Sequence, residues 1–175
     1  MKAVVIYNSQ SGFTKKYAEW IAEACGCKCL EFKQGSKENL SEYDAVIFGG
    51  WFFAAGITKI AWLKKQLPAL NAAGKKVIVY VTGGSPADSP DVPESIRRNF
   101  TEEEWSKIKT FYCPGGLNYD KMNLPSKLAI KMLVKSIKSK KDVTDKEKYM
   151  AETMSHSYDF SDKKYIEPIL AELQK

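Results

Sequence analysis

The first twenty residues limit most strongly what this chain can become. An apolar run, Ala3-Val4-Val5-Ile6-Tyr7, leads directly into Asn8-Ser9-Gln10-Ser11-Gly12-Phe13-Thr14. A helical pattern follows, with Tyr17, Ala18, Trp20, Ile21 and Ala24. The run is continuous rather than alternating, so it reads as a strand buried on both faces, as in a parallel sheet. The hydroxyl-rich loop then turns the chain into a helix N-terminus. Unpaired backbone N–H groups and the helix dipole favour a bound anion there. Ser9, Ser11 and Thr14 add hydroxyls, Gln10 and Phe13 complete the loop, and Gly12 lets the backbone come close without a Cβ. The alternative is a Ser-rich turn that only caps the helix, since Ser and Thr are favoured at helix starts in general.

What the loop lacks narrows the chemistry. A nucleotide triphosphate loop ends in Gly-Lys-Ser/Thr, whereas Gly12 is followed by Phe13-Thr14. A dinucleotide fingerprint needs three spaced glycines, and only Gly12 is present. Neutral hydroxyls without a lysine or metal ligand suit a terminal phosphomonoester.

Strand and helix patterns alternate down the chain. Strands are expected at about 2–7, 28–32, 44–50 and 77–81, with a weaker fifth at 111–116. Helices are expected at about 14–24, 57–67 (ending before Pro68) and 163–174. Such βαβ alternation predicts an open parallel sheet with helices on both faces and right-handed crossovers. Two stretches, about 86–110 and 117–155, are extra. The first contains Thr101-Glu102-Glu103-Glu104, a capping box, and the second a helical pattern at 124–140. With no internal repeat and no low-complexity linker, residues 1–175 read as one domain with insertions.

The loop pattern Ser9-x-Ser11-Gly12-x-Thr14 after an N-terminal strand resembles the phosphate loop of flavodoxins, which bind flavin mononucleotide (FMN). The resemblance covers residues 1–85, extends to 105–120, and reaches 160–175 by position. It implies an α/β fold with five parallel strands in the order 2-1-3-4-5 and a flavin at their carboxyl edge. It also implies two further loops. One is Gly49-Gly50-Trp51-Phe52-Phe53-Ala54-Ala55-Gly56, where glycines allow close approach and Trp51 or Phe52 stacks on the ring. The other is Thr82-Gly83-Gly84-Ser85-Pro86, with amides for the pyrimidine edge. The run Pro114-Gly115-Gly116-Leu117-Asn118-Tyr119-Asp120, followed by Leu124 to Lys135, resembles the flavodoxin-domain subgroup that includes bacterial quinone-dependent protoporphyrinogen oxidase. Gly115, Gly116, Asn118 and Tyr119 either contact flavin or substrate or merely form a turn. The implied function is electron transfer through a non-covalent flavin. The alternatives are an oxidoreductase of the protoporphyrinogen oxidase type, or an interaction module without flavin.

Charge is concentrated in one place. The chain carries a formal net charge of +6, and residues 121–150 hold nine lysines against three acids, which accounts for all of it. Lys127, Lys131, Lys135 and Lys138 share one helical face. Such a helix suits an anionic membrane surface, an acidic partner or an anionic substrate, or it simply solvates its lysines. No nucleic-acid recognition motif accompanies the charge. Cys25, Cys27 and Cys29 alternate as small apolar residues on a buried strand face do, at spacings too short for paired zinc ligands. Cys113 stands apart, and His156 lies in a polar stretch. No metal cluster and no nucleophile–base pair is evident, so no catalytic residue is assigned. No run reaches the roughly 18 apolar residues of a membrane span and no leader pattern is present, so a cytoplasmic location is expected. The expected partner is a redox protein or a small electron donor or acceptor.

Overall fold

The structure, a computed structural model, describes residues 1–53 and 56–175. Ala54 and Ala55 of the expected second loop lie outside the described residues.

The main sheet is built from β1 (Ala3–Tyr7), β2 (Lys28–Glu31), β3 (Ala45–Phe53), β5 (Lys76–Gly83) and β6 (Lys109–Pro114). They pair in parallel in the order β2-β1-β3-β5-β6. A sixth strand, β4 (Gly56–Ile57), pairs antiparallel with the end of β3. The sheet is therefore six-stranded and mostly parallel, not five-stranded and wholly parallel. The register Val4↔Val46↔Val77 and Ile6↔Phe48↔Val79 stacks branched and aromatic residues across the centre.

Alternation along these strands sorts their side chains into two cores. On one face Val4, Ile6, Val46, Phe48, Val77 and Val79 meet Leu63, Leu67 and Leu70 of α3 (Ile60–Ala72) and Val92 and Ile96 of α4 (Asp91–Arg97). On the other, Val5, Ile47, Ile78, Tyr80 and Cys113 meet Tyr17, Ala18 and Ile21 of α1 (Phe13–Cys25) and Ile169 and Leu173 of α8 (Glu167–Gln174). Burial on both faces is why the strands read as unbroken apolar runs.

Helix α3 differs from expectation at both ends. Ile57 is taken by β4, and the helix begins after Lys59, which has φ of 62°. It also runs through Pro68 to Ala72. The proline removes one backbone bond, but the buried stripe Leu63–Leu67–Leu70 continues past it. Packing of that stripe outweighs the missing bond. A four-residue helix, α2 (Phe32–Gly35), ends the second strand early, and β6 lies two residues before its expected place.

The first extra stretch folds as α4 and α5 (Glu102–Ser106), the latter with the expected Thr101/Glu104 capping box. The second departs after β6 through β7 (Gly116–Leu117) and closes on β8 (Tyr158–Asp159), which pair antiparallel as a separate two-stranded sheet. Between them lie α6 (Leu124–Lys138) and α7 (Asp145–Thr153). Asn123 caps α6 by accepting from the Ser126 amide at 2.9 Å, and a Thr144/Glu147 capping box starts α7.

The cysteines do not share one strand face. Cys25 is exposed at the end of α1, Cys27 and Cys29 are half-buried, and Cys113 is buried on β6. Burial raises the thiol pKa of Cys29 and Cys113. His156 is exposed.

Candidate functional site

The carboxyl ends of β1, β3, β5 and β6 converge, as parallel pairing requires. The loop after β1 is tight. Gly12 adopts φ of 100°, a conformation side chains rarely take, and its amide donates to Ser9 Oγ at 3.2 Å. Helix α1 then starts with no side-chain cap, so its first-turn amides have no helical partners. The Ser-rich segment thus closes the turn rather than capping the helix.

Thr14 departs from its expected role. It is buried, and its hydroxyl pairs with that of Thr82 on β5 at 2.8 Å. This couples helix and sheet instead of offering a donor to an anion. Tyr80, also buried, donates to the Thr14 carbonyl at 2.9 Å. Tyr17 donates to the Pro114 carbonyl at 2.7 Å and accepts from the Asp162 amide. Burial raises the pKa of both phenols, so both stay neutral.

Of the lysines near this loop, Lys15 faces Glu19 and Lys16 binds Asp159 and Ser161. Lys121 comes from the second extra stretch. A Cβ on Gly12 would stand 3.7 Å from its Nζ, so an ammonium lies over the loop. The loop's own sequence holds no cation there; the supply is long-range and has no local signature.

Beside the loop opens a cleft of about 340 Å³, within the size range of small-molecule sites. Gln10, Ser11 and Phe13 form one wall, Trp51, Phe52 and Phe53 a second, and Thr82, Gly83 and Gly84 a third. Trp51 and Phe52 belong to β3 itself rather than to a loop. The strand continues past Gly49-Gly50 because both glycines pack closely: a Cβ would meet Tyr80 at Gly49 and Ile57 at Gly50. Gly50 therefore does not line the cleft, nor do Ser9, Gly12, Thr14 and Ser85. Ser85 is exposed, and its carbonyl accepts from Tyr112 at 2.8 Å. The Gly84 carbonyl accepts from Tyr158 at 2.8 Å, and burial pushes that phenol up to about 12.

The fourth wall comes from residues after β6. Gly115, Gly116, Leu117 and Asn118 lead into Met122, then Ser126, Ala129 and Ile130 of α6, with Met154 after α7. Tyr119 lies outside the cleft, with its hydroxyl on the Met154 carbonyl. Sequence patterning gave no sign that α6 roofs the site, although Ile130 sits off its lysine face.

None of the described side chains lining the cleft is ionisable, so they do no acid–base work, and a bound group would have to supply the chemistry. The lining is suited to one that is flat, aromatic and partly polyhydroxylated, with an anionic end: aromatic walls, small hydroxyl and amide side chains, and an uncapped helix beneath an ammonium. One observation tests that fit directly. Trp51 Nε1 is buried and has no hydrogen-bond partner among the described residues. A buried donor left unpaired costs about 1–3 kcal/mol, which an acceptor on a bound molecule would recover.

Solved structures similar to this chain include oxidised flavodoxin 1 from Bacillus cereus, 17% identical over 69% of this chain and 89% of that one, TM-score 0.41. A flavoprotein in complex with FMN from Lactobacillus acidophilus is 17% identical over 65% and 91%, TM-score 0.44. A WrbA-like flavodoxin from Agrobacterium tumefaciens is 15% identical over 88% and 95%, TM-score 0.47. No curated protein sequence matches the chain. The model of the flavodoxin domain matches residues 4–145, most of the length, and the chain belongs to the flavodoxin-domain family.

Proposed function

We propose that this protein binds FMN in the cleft and passes electrons through it. The observation that carries the reading is a cleft without ionisable lining that ends at an uncapped helix with Lys121 above it. When bound, the flavin supplies one- and two-electron chemistry. The chain's residues position and shield it. The α1 amides and Ser11 hold the phosphate, and Lys121 complements its charge. Gln10 and Asn118 serve the ribityl hydroxyls, while Trp51 and Phe52 present aromatic surface to the ring. The backbone at Gly83 and Gly84, which lines the cleft, would serve its polar edge. Ser9, Gly12 and Thr14 shape the loop without touching the cleft. The donor and acceptor are a redox protein or a small molecule.

A second reading makes the chain an enzyme, an oxidoreductase of the protoporphyrinogen oxidase type. It is favoured by the roof of Met122, Ile130 and Met154, which deepens an apolar cleft where a substrate could lie against the flavin. A flavin-free interaction module is the remaining alternative.

The test is an absorption spectrum of purified protein with and without added FMN. Flavin bands with quenched fluorescence are expected. Protein that ignores FMN overturns the reading and leaves the interaction module. Gly12→Asp should abolish uptake, because it strains a residue at φ 100° and sets a carboxylate against the phosphate. Unchanged affinity in that variant would move the phosphate elsewhere.

A further inference from the structure

Helix α6 presents two outward surfaces that its sequence alone does not separate. Its inner side holds Ile137, which is buried, and Ile130, which lines the cleft. Leu128, Met132 and Leu133 do not pack inward with them. Leu124 is 81% exposed, Leu128 60%, Met132 63% and Leu133 44%. At 100° per residue, Leu124, Leu128 and Met132 form one stripe, Lys127, Lys131 and Lys138 border it on one side, and Lys135 falls between Leu124 and Leu128. None of the 15 residues of α6 is acidic.

An exposed apolar stripe flanked by lysines is the pattern of a helix lying in a membrane interface, with leucines among the acyl chains and ammonium groups at the headgroups. We propose that α6 docks this protein on an anionic lipid surface. Charge complementarity selects that occupant. A protein partner able to cover the stripe would also have to neutralise four lysines on one helix and the surplus of the whole 121–150 segment. A second copy of this chain would bring the same positive charge to the contact. An anionic bilayer satisfies both halves at once, since each lysine near such a surface adds attraction. Docking sets the helix that roofs the cleft against the lipid.

The test is co-sedimentation of the full chain with vesicles of phosphatidylcholine alone and with vesicles containing phosphatidylglycerol. Binding to the anionic vesicles should exceed that to neutral ones by on the order of 100-fold, and added salt should reduce it. Lys127→Glu/Lys131→Glu/Lys135→Glu should remove the preference. Leu128→Ser/Met132→Ser should weaken binding with the lysines intact, and because both positions are exposed, its urea midpoint should match the parent's. Absent or equal binding to the two vesicles overturns the proposal. So does a dimer in solution that Leu128→Ser/Met132→Ser dissociates, since a second copy then covers the stripe. FMN uptake is measured on the same samples, so either outcome at the vesicle leaves the flavin reading to stand or fall separately.

Discussion

Gly49→Ala probes how the sheet centre is coupled to the first turn of α1. The added Cβ would lie 2.1 Å from Tyr80 Cζ and 2.2 Å from its hydroxyl. Real Cβ contacts essentially never fall below 3.0 Å, so the ring must move by about 1 Å. Tyr80 is fully buried and cannot swing into solvent. Overpacking of this kind costs about 1–3 kcal/mol. Displacing the ring also breaks its hydrogen bond to the Thr14 carbonyl, worth about 0.5–1.5 kcal/mol. Together these give a loss of about 1.5–4.5 kcal/mol, read from the urea midpoint at unchanged m-value. Tyr80→Leu provides the control. It removes the atoms that clash, so the double variant should be at least about 1 kcal/mol more stable than additivity predicts. A loss below about 0.5 kcal/mol for Gly49→Ala, or strict additivity, would refute the account of why this strand carries glycine at its centre.

Lys121→Met should weaken FMN about tenfold while leaving riboflavin, which lacks the phosphate, unaffected; parallel fluorescence titrations would show this. A thiol reagent should label Cys25 first and Cys113 only in denaturant, because the former is exposed and the latter buried, and mass spectrometry of quenched samples would give the order. Acid should loosen the segment between β7 and β8. The carboxyl of Glu147 is held at about 2 by Lys140 and by Thr144. That of Asp159 is lowered because Ser161 and Lys16 outweigh an opposing burial effect. A depressed carboxyl pKa contributes stability above the unfolded value, and this is lost as pH falls through the folded one. The loss should fall between about pH 5 and 2, and Glu147→Gln should flatten it in a circular-dichroism titration.

The first strand, its loop and the following helix were legible because burial on both faces leaves an unbroken apolar run, and the turn chemistry is local. The two capping boxes are equally local: Thr144-x-x-Glu147 carries the same signal before α7 as Thr101-x-x-Glu104 before α5. Other features depend on distant residues. Pro68 looked like a helix end, but Leu70 packs beyond it. Gly49-Gly50 looked like a strand end, but these glycines make room for Tyr80 and Ile57. Thr14 belongs to the first turn of α1, and its hydroxyl turns inward to meet that of Thr82. The lysine over Gly12 and the α6 roof arrive from more than a hundred residues away. No window of sequence holds them together with the loop they cover.

The narrow β7–β8 ladder has a consequence for how such a chain can change over time. Gly116 faces Asp159 and Leu117 faces Tyr158 across it, so residues 118–157 depart and return at neighbouring points beside the main sheet. A tight hairpin turn could join those points directly. The main sheet would then keep every strand, and Tyr158 would keep its bond to the Gly84 carbonyl. Everything between the rungs behaves as an exchangeable accessory: its length, charge and greasiness can drift, or be lost altogether, without re-registering a single parallel strand. The parallel scaffold is thus insulated from change in this segment, whereas the cleft is not, because its fourth wall and Lys121 come from it.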